Sequence, residues 1–357
     1  MITMNRSCWS LPEHVTRAFV WLAVFFILVG ATYLVSRQNE TSTQVVINYY
    51  RTAALLATML LVFQPKPVAQ RAAVALLMVV IFASIMNLVD FFLLDIGFSR
   101  TGTRAAGLYV NPNISGKLLV FGMTLSHSVL PRWLRFPFCL AVGIAVVLTF
   151  SRSSMLLWCI AVLALSWWGV FVQPRLQSFA MMLGLILALA ISLDVGHWLR
   201  AFEMIGSGDL LTEVTTSRIG QSFATQEDPS LHARLILAKE GWRLFLEAPV
   251  LGHGIGAIRH GVHNMYLQIG VEHGIAGLGL IIWLISILWR QGGVEGRTLA
   301  IIYSVSGFFT NNNFNQPAVQ IILALAIVGV SESKLKVQLR TKFQHRRHRP
   351  LSFKRVT

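Results

Sequence analysis

Charged and polar residues gather at the edges of long apolar stretches, where such side chains are costly and therefore informative. Arginine at such positions suits the binding of phosphate, because a guanidinium grips two phosphate oxygens at once. Histidine, whose unperturbed pKa is about 6.5, suits the removal of a proton near neutral pH. The candidates fall in four places along the chain, which centre on Asn111, Asn113 and Lys117, on Arg152, on Arg234, and on His263 and Asn264.

Each candidate also has a purely structural explanation. The two asparagines that flank a proline fit a turn with a helix N-cap. Lys117 lies one turn inside an apolar run, where it must either reach the membrane surface or meet an anion. Arg152, in a tight connection between two apolar runs, could extend to lipid phosphate. Asn264 fits a helix N-cap, and His263 fits a hydrogen-bonded boundary residue.

The composition indicates a membrane protein. Of the 357 residues, 55% are hydrophobic and only 13% are charged, about half the charged share of a soluble chain. These values, with three cysteines, exclude a soluble enzyme, a secreted disulfide scaffold and a disordered chain. We predict an all-α polytopic membrane protein with about ten transmembrane helices and one large outer loop that contains short helices. The predicted spans are 18–35, 45–63, 72–94, 113–130, 133–150, 153–172, 178–195, 264–289, 298–312 and 318–331.

The basic residues predict the orientation. With both termini in the cytoplasm, the inner face holds eighteen of the thirty Lys and Arg residues, and the short outer loops hold four. Nine of the eighteen lie in the tail at 334–355. The net charge of +15 is therefore concentrated where it can bind anionic membrane lipids, which favours lipids over nucleic acid as the partner.

The chain divides at one long loop. We expect four regions: helices 1–7 within 1–195, a large outer loop at 196–262 with catalytic residues, helices 8–10 within 263–331, and a basic cytoplasmic tail at 332–357. A loop of 67 residues is far longer than a connection requires, and long loops of this kind are usually functional. Its second half predicts a helix that begins at Pro229 and stops before Pro249, with an apolar stripe at Leu231, Leu235, Ala238, Trp242 and Phe245.

The glycines at 252–256 do not predict a nucleotide-binding loop. No strand precedes them and no Lys-Ser or Lys-Thr pair follows, so they favour a tight backbone beside His263. The histidines of the loop match no strong zinc spacing, and we predict neither a metal nor a cofactor. The polar run from Asn311 to Gln316 could hold sugar hydroxyls or cap its own loop.

Taken in order, these motifs resemble the O-antigen ligase and O-antigen polymerase family of bacterial envelope glycosyltransferases. The resemblance runs from about 104 to 280. The residues that carry it are Gly107, Asn111, Asn113, Ser151, Arg152, Arg234, Trp242, Pro249, Gly252, Gly254, His263, Asn264, Tyr266, Gly274 and Gly277.

The resemblance implies a multi-pass protein of the bacterial inner membrane with a periplasmic loop. It further implies transfer of a glycan from undecaprenyl diphosphate to an acceptor sugar such as lipid A-core, without a metal or a nucleotide sugar. In that reaction His263 would act as the general base, with inversion at the anomeric carbon, and Arg234 and Arg152 would clamp the diphosphate. The other candidate ligands of the diphosphate or glycan are Lys117, Arg104, Asn111, Asn113 and Asn264.

Two alternatives stay open at this stage. A polymerase of the same family uses the same donor and differs only in its acceptor. A membrane transporter or a flippase for lipid-linked glycans would explain ionisable residues within spans, such as Asp90, Glu272 and His273. No paired, broken helices in two matching halves support that alternative.

Overall fold

The computed structural model describes residues 11–92, 104–172, 229–258 and 261–329, with side chains of the third range described from residue 235. Every regular element in these ranges is helical, as the sequence predicts. The α-helices are α1 (Glu13–Val35), α2 (Glu40–Val62), α3 (Lys66–Phe92), α4 (Pro112–Ser126), α5 (Arg132–Val147), α6 (Arg152–Trp167), α7 (Pro229–Glu247), α8 (Met265–Gln291), α9 (Gly293–Ser306) and α10 (Pro317–Val328).

The helices are those of a multi-pass membrane protein. Within the described ranges, α1, α2, α3 and α8 are each long and apolar enough to cross a bilayer. Nine of the ten predicted spans coincide with a helix, and the span predicted at 178–195 lies outside the described residues. Helices α9 and α10 have 14 and 12 residues, so at a rise of 1.5 Å per residue they are only about 21 and 18 Å long.

Successive helices run in opposite directions, so their connections gather at two ends of the bundle. We call one the loop end; it is formed by residues 36–39, 104–111, 148–151, 248–258, 261–264 and 307–316. The opposite end, which we call the tail end, is formed by residues 63–65, 127–131, 168–172, 292 and 329. Hydrogen bonds join the elements at the loop end. For example, the backbone N–H of Met265, at the start of α8, donates to the carbonyl of Gly307 at 2.7 Å.

Side-chain caps start several helices at the loop end. The Asn111 side chain accepts hydrogen bonds from the backbone of Asn113 and Ile114 at the start of α4, and Asn264 does the same for the start of α8. The predicted caps at these two asparagines are confirmed. Ser151 caps α6 in the same manner, so the partial positive charges of these helix N-termini lie at one end of the bundle.

Helix α4 lies at the centre of the bundle. Of its 15 residues, 13 are buried, as expected for a helix that is surrounded by other helices. Gly116 permits close contact with α6, because a Cβ atom there would lie 2.6 Å from the side chain of Ser154. The central position of α4 places Lys117 inside the protein, one turn below the loop end.

Candidate functional site

Lys117 is a buried cation with a neutral partner. Its Nζ donates a 2.9 Å hydrogen bond to Oδ1 of Asn313, which is fully buried in the connection at 307–316. The Asn313 amide in turn donates to Oγ of Ser306 at 2.6 Å. This chain of bonds connects α4 to the end of α9 and places a positive charge immediately beneath the surface of the loop end.

Arg104 is hydrogen-bonded to another predicted site residue, Asn113, and to the connection that follows α5. Its Nε donates to the Thr149 carbonyl and its Nη2 to Oδ1 of Asn113, each at 2.9 Å. Asn113 and Asn111 are exposed, but the Oδ1 atom of Asn111 is occupied by the helix cap. The structure therefore gives Arg104, Asn111 and Asn113 local structural partners at the loop end.

Arg152 is the first residue of α6 and its side chain is exposed. Because the first turns of α4 and α6 are in contact at Gly116 and Ser154, Arg152 lies on a helix start that directly adjoins the one carrying Lys117. Two cations and two helix N-termini thus lie at the same end of the bundle. Such an arrangement favours an anion, above all a phosphate group.

His263 is exposed at the loop end, immediately before the cap of α8. Its neighbours on both sides are fixed: the backbone N–H of Val262 donates to Oε1 of Gln268 at 3.0 Å, and Met265 is bonded to Gly307. A Cβ atom at Gly261 would lie 2.6 Å from the amide nitrogen of Asn311. His263 and Lys117 are thus both adjacent to the same connection, residues 307–316.

The predicted loop helix is present with its predicted limits, but only part of its predicted apolar stripe is in contact with the protein. Helix α7 spans Pro229–Glu247 and packs through Leu244 and Phe245 against a small cluster with Val262. Leu235 and Trp242, placed on the buried stripe by their spacing, are each 54% exposed. The contact is instead centred on Gly241, where the absence of a side chain permits the backbone of α7 to lie close to Val262.

Arg234 lies in α7, seven residues and two turns before that glycine. Its side chain belongs to the part of the chain that the structure does not describe. The backbone of α7 is held beside the start of α8, so the helix that carries Arg234 is attached to the segment that carries His263.

The glycine-rich segment after α7 packs against a break in α8. Gly274 has φ of +62° and ψ of −154°, which interrupts the helix. The backbone N–H of Ile275 donates to the Pro249 carbonyl at 2.8 Å, and the carbonyl of Val271 accepts from the N–H of His253 at 2.7 Å. In a continuous helix these two groups would bond each other. The loop therefore takes up both backbone groups that the break sets free.

Glu272 is a residue of this region whose structural role sequence reasoning missed. Its buried carboxylate accepts hydrogen bonds from the Tyr49 hydroxyl at 2.9 Å and from the Gln268 amide at 2.5 Å, and from the backbone of Gly256. Gln268 also holds the backbone of Val262. Glu272 thus joins α2, the glycine-rich segment and the residue preceding His263. Its position within an apolar span was visible in the sequence, but its partners were not.

The other ionisable groups that suggested a transport path also have structural partners. Asp90 accepts from the backbone N–H groups of Ala106 and Gly107 at 2.7 and 3.0 Å. Nδ1 of His273 lies 2.9 Å from Oγ1 of Thr32. These bonds hold connections and helices together, so the two residues need no ion path to explain them.

Three of the predicted cations therefore lie at the same end of the bundle as the exposed His263. Lys117, Arg152 and Arg104 supply positive charge, and His263 supplies a group that can accept a proton. Among the described residues, no group of three or more His, Cys, Asp or Glu side chains comes together in a way that could hold a metal ion.

One comparison shows what part of this chain is similar to. Residues 137–282 match the family model for O-antigen ligases, which confirms the resemblance that the motifs suggested. The matched range contains Arg152, Arg234 and His263, and it extends from α5 to α8. A comparison with curated proteins found no match.

Proposed function

We propose, from the O-antigen ligase match at residues 137–282, that this membrane protein transfers a glycan from undecaprenyl diphosphate to an acceptor sugar on the periplasmic face. One observation carries the proposal: Lys117, Arg152 and His263 all lie at the loop end, where α4, α6 and α8 begin. A lipid-linked diphosphate occupies the headgroup plane, so the groups that act on it belong at helix ends.

The donor diphosphate would bind where positive charge is concentrated. Arg152 and Arg234 are proposed to clamp it, with Lys117 and Arg104 as further cations. Diphosphate is a good leaving group, and the negative charge that builds on it in the transition state requires cations rather than a general acid. The exposed guanidinium of Arg152 beside the N-terminus of α6 meets that requirement.

His263 would act as the general base. It takes the proton of the acceptor hydroxyl while that oxygen forms a bond to the anomeric carbon, and the bond from that carbon to the phosphate oxygen breaks with its electron pair leaving on undecaprenyl diphosphate. Attack from the side opposite to the diphosphate inverts the anomeric centre. The exposure of His263 at the loop end supports this role, because an acceptor glycan can reach it.

Two polar side chains of the connection at 307–316 are proposed to bind the acceptor glycan. Oδ1 of Asn315 and Oε1 of Gln316 are buried, and neither has a hydrogen-bond partner within the described ranges. Buried acceptors of this kind are rare in folded proteins, and sugar hydroxyls are suitable donors for them. Asn313, in contrast, is already occupied by Lys117 and Ser306.

We favour a ligase whose acceptor is lipid A-core over a polymerase that extends another repeat unit, since the matching family model describes ligases. The basic residues favour the bacterial inner membrane, with both termini in the cytoplasm and residues 196–262 in the periplasm. In this arrangement the loop end is the periplasmic end of the bundle, and residues 332–357 contact cytoplasmic lipid headgroups.

The test is deletion of the gene followed by electrophoresis of the envelope polysaccharide. Full-length chains that stay on the lipid carrier would support a ligase, and products with a single repeat unit would favour the polymerase. An unchanged glycan profile would overturn both transfer reactions. Labelled substrate that enters liposomes without product formation would favour a transporter instead.

Complementation of the deletion strain with single-residue variants tests the proposed roles. We expect His263→Ala to lower transfer by about 10²- to 10⁴-fold. We also expect Arg234→Ala not to restore transfer in the deletion strain. Arg243→Ala is the matched control for Arg234, because Arg243 lies on the same helix and forms an exposed ion pair with Glu247 at 2.9 Å. Normal transfer by His263→Ala at normal protein levels would disprove the assignment of the base.

A further inference from the structure

A cavity opens at the tail end of the bundle, opposite the proposed active site. It lies between the first turns of α1 and the last turns of α8, and its volume is about 280 Å³. Its walls contain two arginines, a tryptophan and polar side chains. The lining residues are Arg17, Trp283, Ser286, Ile287, Arg290 and Gln291.

The tail end of the bundle, where this cavity lies, contains residues typical of a membrane–water interface. Trp168 and Trp289 pack edge to face with ring centroids 6.5 Å apart, and the guanidinium of Arg297 lies 5.4 Å from the centroid of the Trp168 ring. Tryptophan and arginine together characterise the headgroup level of a bilayer. The cavity therefore opens at the level where phospholipid phosphates lie.

The charges of the cavity are not balanced. Arg17 pairs with Glu13 at 2.5 Å, an exposed contact within one helix. Arg290 is exposed and has no hydrogen bond or ion pair within the described ranges. Gln291 adds an amide donor, whereas Ser286 donates to the carbonyl of Trp283. Two arginines line the cavity, and among the described residues only one of them, Arg17, is paired with a carboxylate, so the cavity favours an anion.

We propose that this cavity binds the phosphate of an anionic phospholipid headgroup. A lipid suits it better than a free phosphate ion because the α1 face that contains Arg17 continues upward as Val20, Val24 and Ile27, all exposed and apolar. Acyl chains can lie along that face while the phosphate lies between Arg17 and Arg290. The basic tail at 334–355 has the wrong charge to occupy the cavity.

The test is retention of lipid by the purified full-length protein, measured by native mass spectrometry in detergent. We expect phosphatidylglycerol to be retained and phosphatidylcholine to be lost. The double substitution Arg17→Gln with Arg290→Gln should weaken retention of phosphatidylglycerol by about 30-fold. Arg71→Gln, an exposed arginine near the start of α3, should have no effect.

Ser286→Leu, which fills the cavity and keeps both arginines, should also reduce retention and guards against misfolding of the double variant. Equal retention by the double variant and the Arg71→Gln control would overturn the proposal. Inorganic phosphate at millimolar concentration should displace little lipid. Full displacement by phosphate would mean a site for soluble anions and would overturn the lipid assignment. Neither measurement depends on glycan transfer.

Discussion

Lys117 and Asn313, 196 residues apart in the chain, are joined by a buried hydrogen bond of 2.9 Å. The partner of the ammonium group is a neutral amide, so the bond satisfies one N–H group and leaves the positive charge in place. A buried cation that is not neutralised by a carboxylate is expensive. Under the proposed function, a diphosphate bound beside the first turns of α4 and α6 would compensate this charge.

Lys117→Met tests this relationship. The substitution removes the charge and leaves Oδ1 of Asn313 without its donor, and Asn313→Leu removes the same bond while keeping the charge. A double-mutant cycle should give a coupling of about 1.5–3 kcal/mol for this bond. The coupling free energy is obtained by unfolding the wild-type protein, the two single variants and the double variant in SDS.

An assay of glycan transfer should then distinguish Lys117→Met from Asn313→Leu. If the charge acts on the donor, Lys117→Met loses far more transfer than Asn313→Leu at equal protein levels. Equal losses from both would show that Lys117 has only a structural role.

Arg152→Lys tests whether the shape of the guanidinium is needed as well as its charge. Lysine is a point charge that cannot bind two phosphate oxygens in one plane, so kcat/KM for the lipid-linked donor should fall by about 10- to 100-fold. The measurement is a transfer assay over a range of donor concentrations. Arg243→Lys, on an exposed ion pair, should leave kcat/KM unchanged, and an unaffected Arg152→Lys would remove Arg152 from the clamp.

Tyr49→Phe tests the hydrogen bonds around Glu272. Loss of the Tyr49 hydroxyl removes a 2.9 Å bond to a buried carboxylate, which should cost about 1–3 kcal/mol of stability. The neighbouring Tyr50 is the matched control, because its hydroxyl makes a longer, half-buried bond of 3.3 Å to the Phe26 carbonyl. Thermal unfolding should show a clearly lower midpoint for Tyr49→Phe than for Tyr50→Phe, and equal midpoints would contradict the role given to Glu272.

Gly274→Ala tests the packing of the loop against the break in α8. Only glycine readily adopts φ of +62° with ψ of −154°, and a Cβ atom there would collide with the carbonyl of Val250. We expect lower stability and faster proteolysis at residues 249–256.

Gly279→Ala is the control in the same helix, because a Cβ atom at Gly279 meets no atom within 4 Å. It should leave the unfolding midpoint unchanged or raise it. Equal behaviour of the two alanine variants would mean that the break does not depend on Gly274.

Local signals were the predictable part of this structure. The caps at Asn111 and Asn264 followed from the side chains of the residues that precede an apolar run, and these caps are confirmed. The start of α7 at Pro229 and its end before Pro249 followed from proline chemistry in the same way. Each of these features depends on neighbours within a few residues.

The packing face of α7 was not predictable by the same means. An apolar stripe indicates burial only when enough surface is available to cover it, and α7 packs on a small cluster at the start of α8. Its closest approach uses Gly241, a residue that has no side chain and so contributes nothing to a hydrophobic pattern. The bonds from Lys117 to Asn313 and from Tyr49 to Glu272 likewise join distant parts of the chain.

The opened hydrogen bond of α8 also constrains the order in which the protein assembles. Residues 249–253 leave the ribosome before α8, but an α8 that entered the bilayer alone would keep its bond between Ile275 and Val271, because unpaired backbone groups in hydrocarbon cost several kcal/mol. The helix can bend only when Pro249 and His253 arrive to replace that bond. Bending of α8 and docking of the loop are therefore coupled, so a chain whose residues 249–253 have not docked keeps this helix straight.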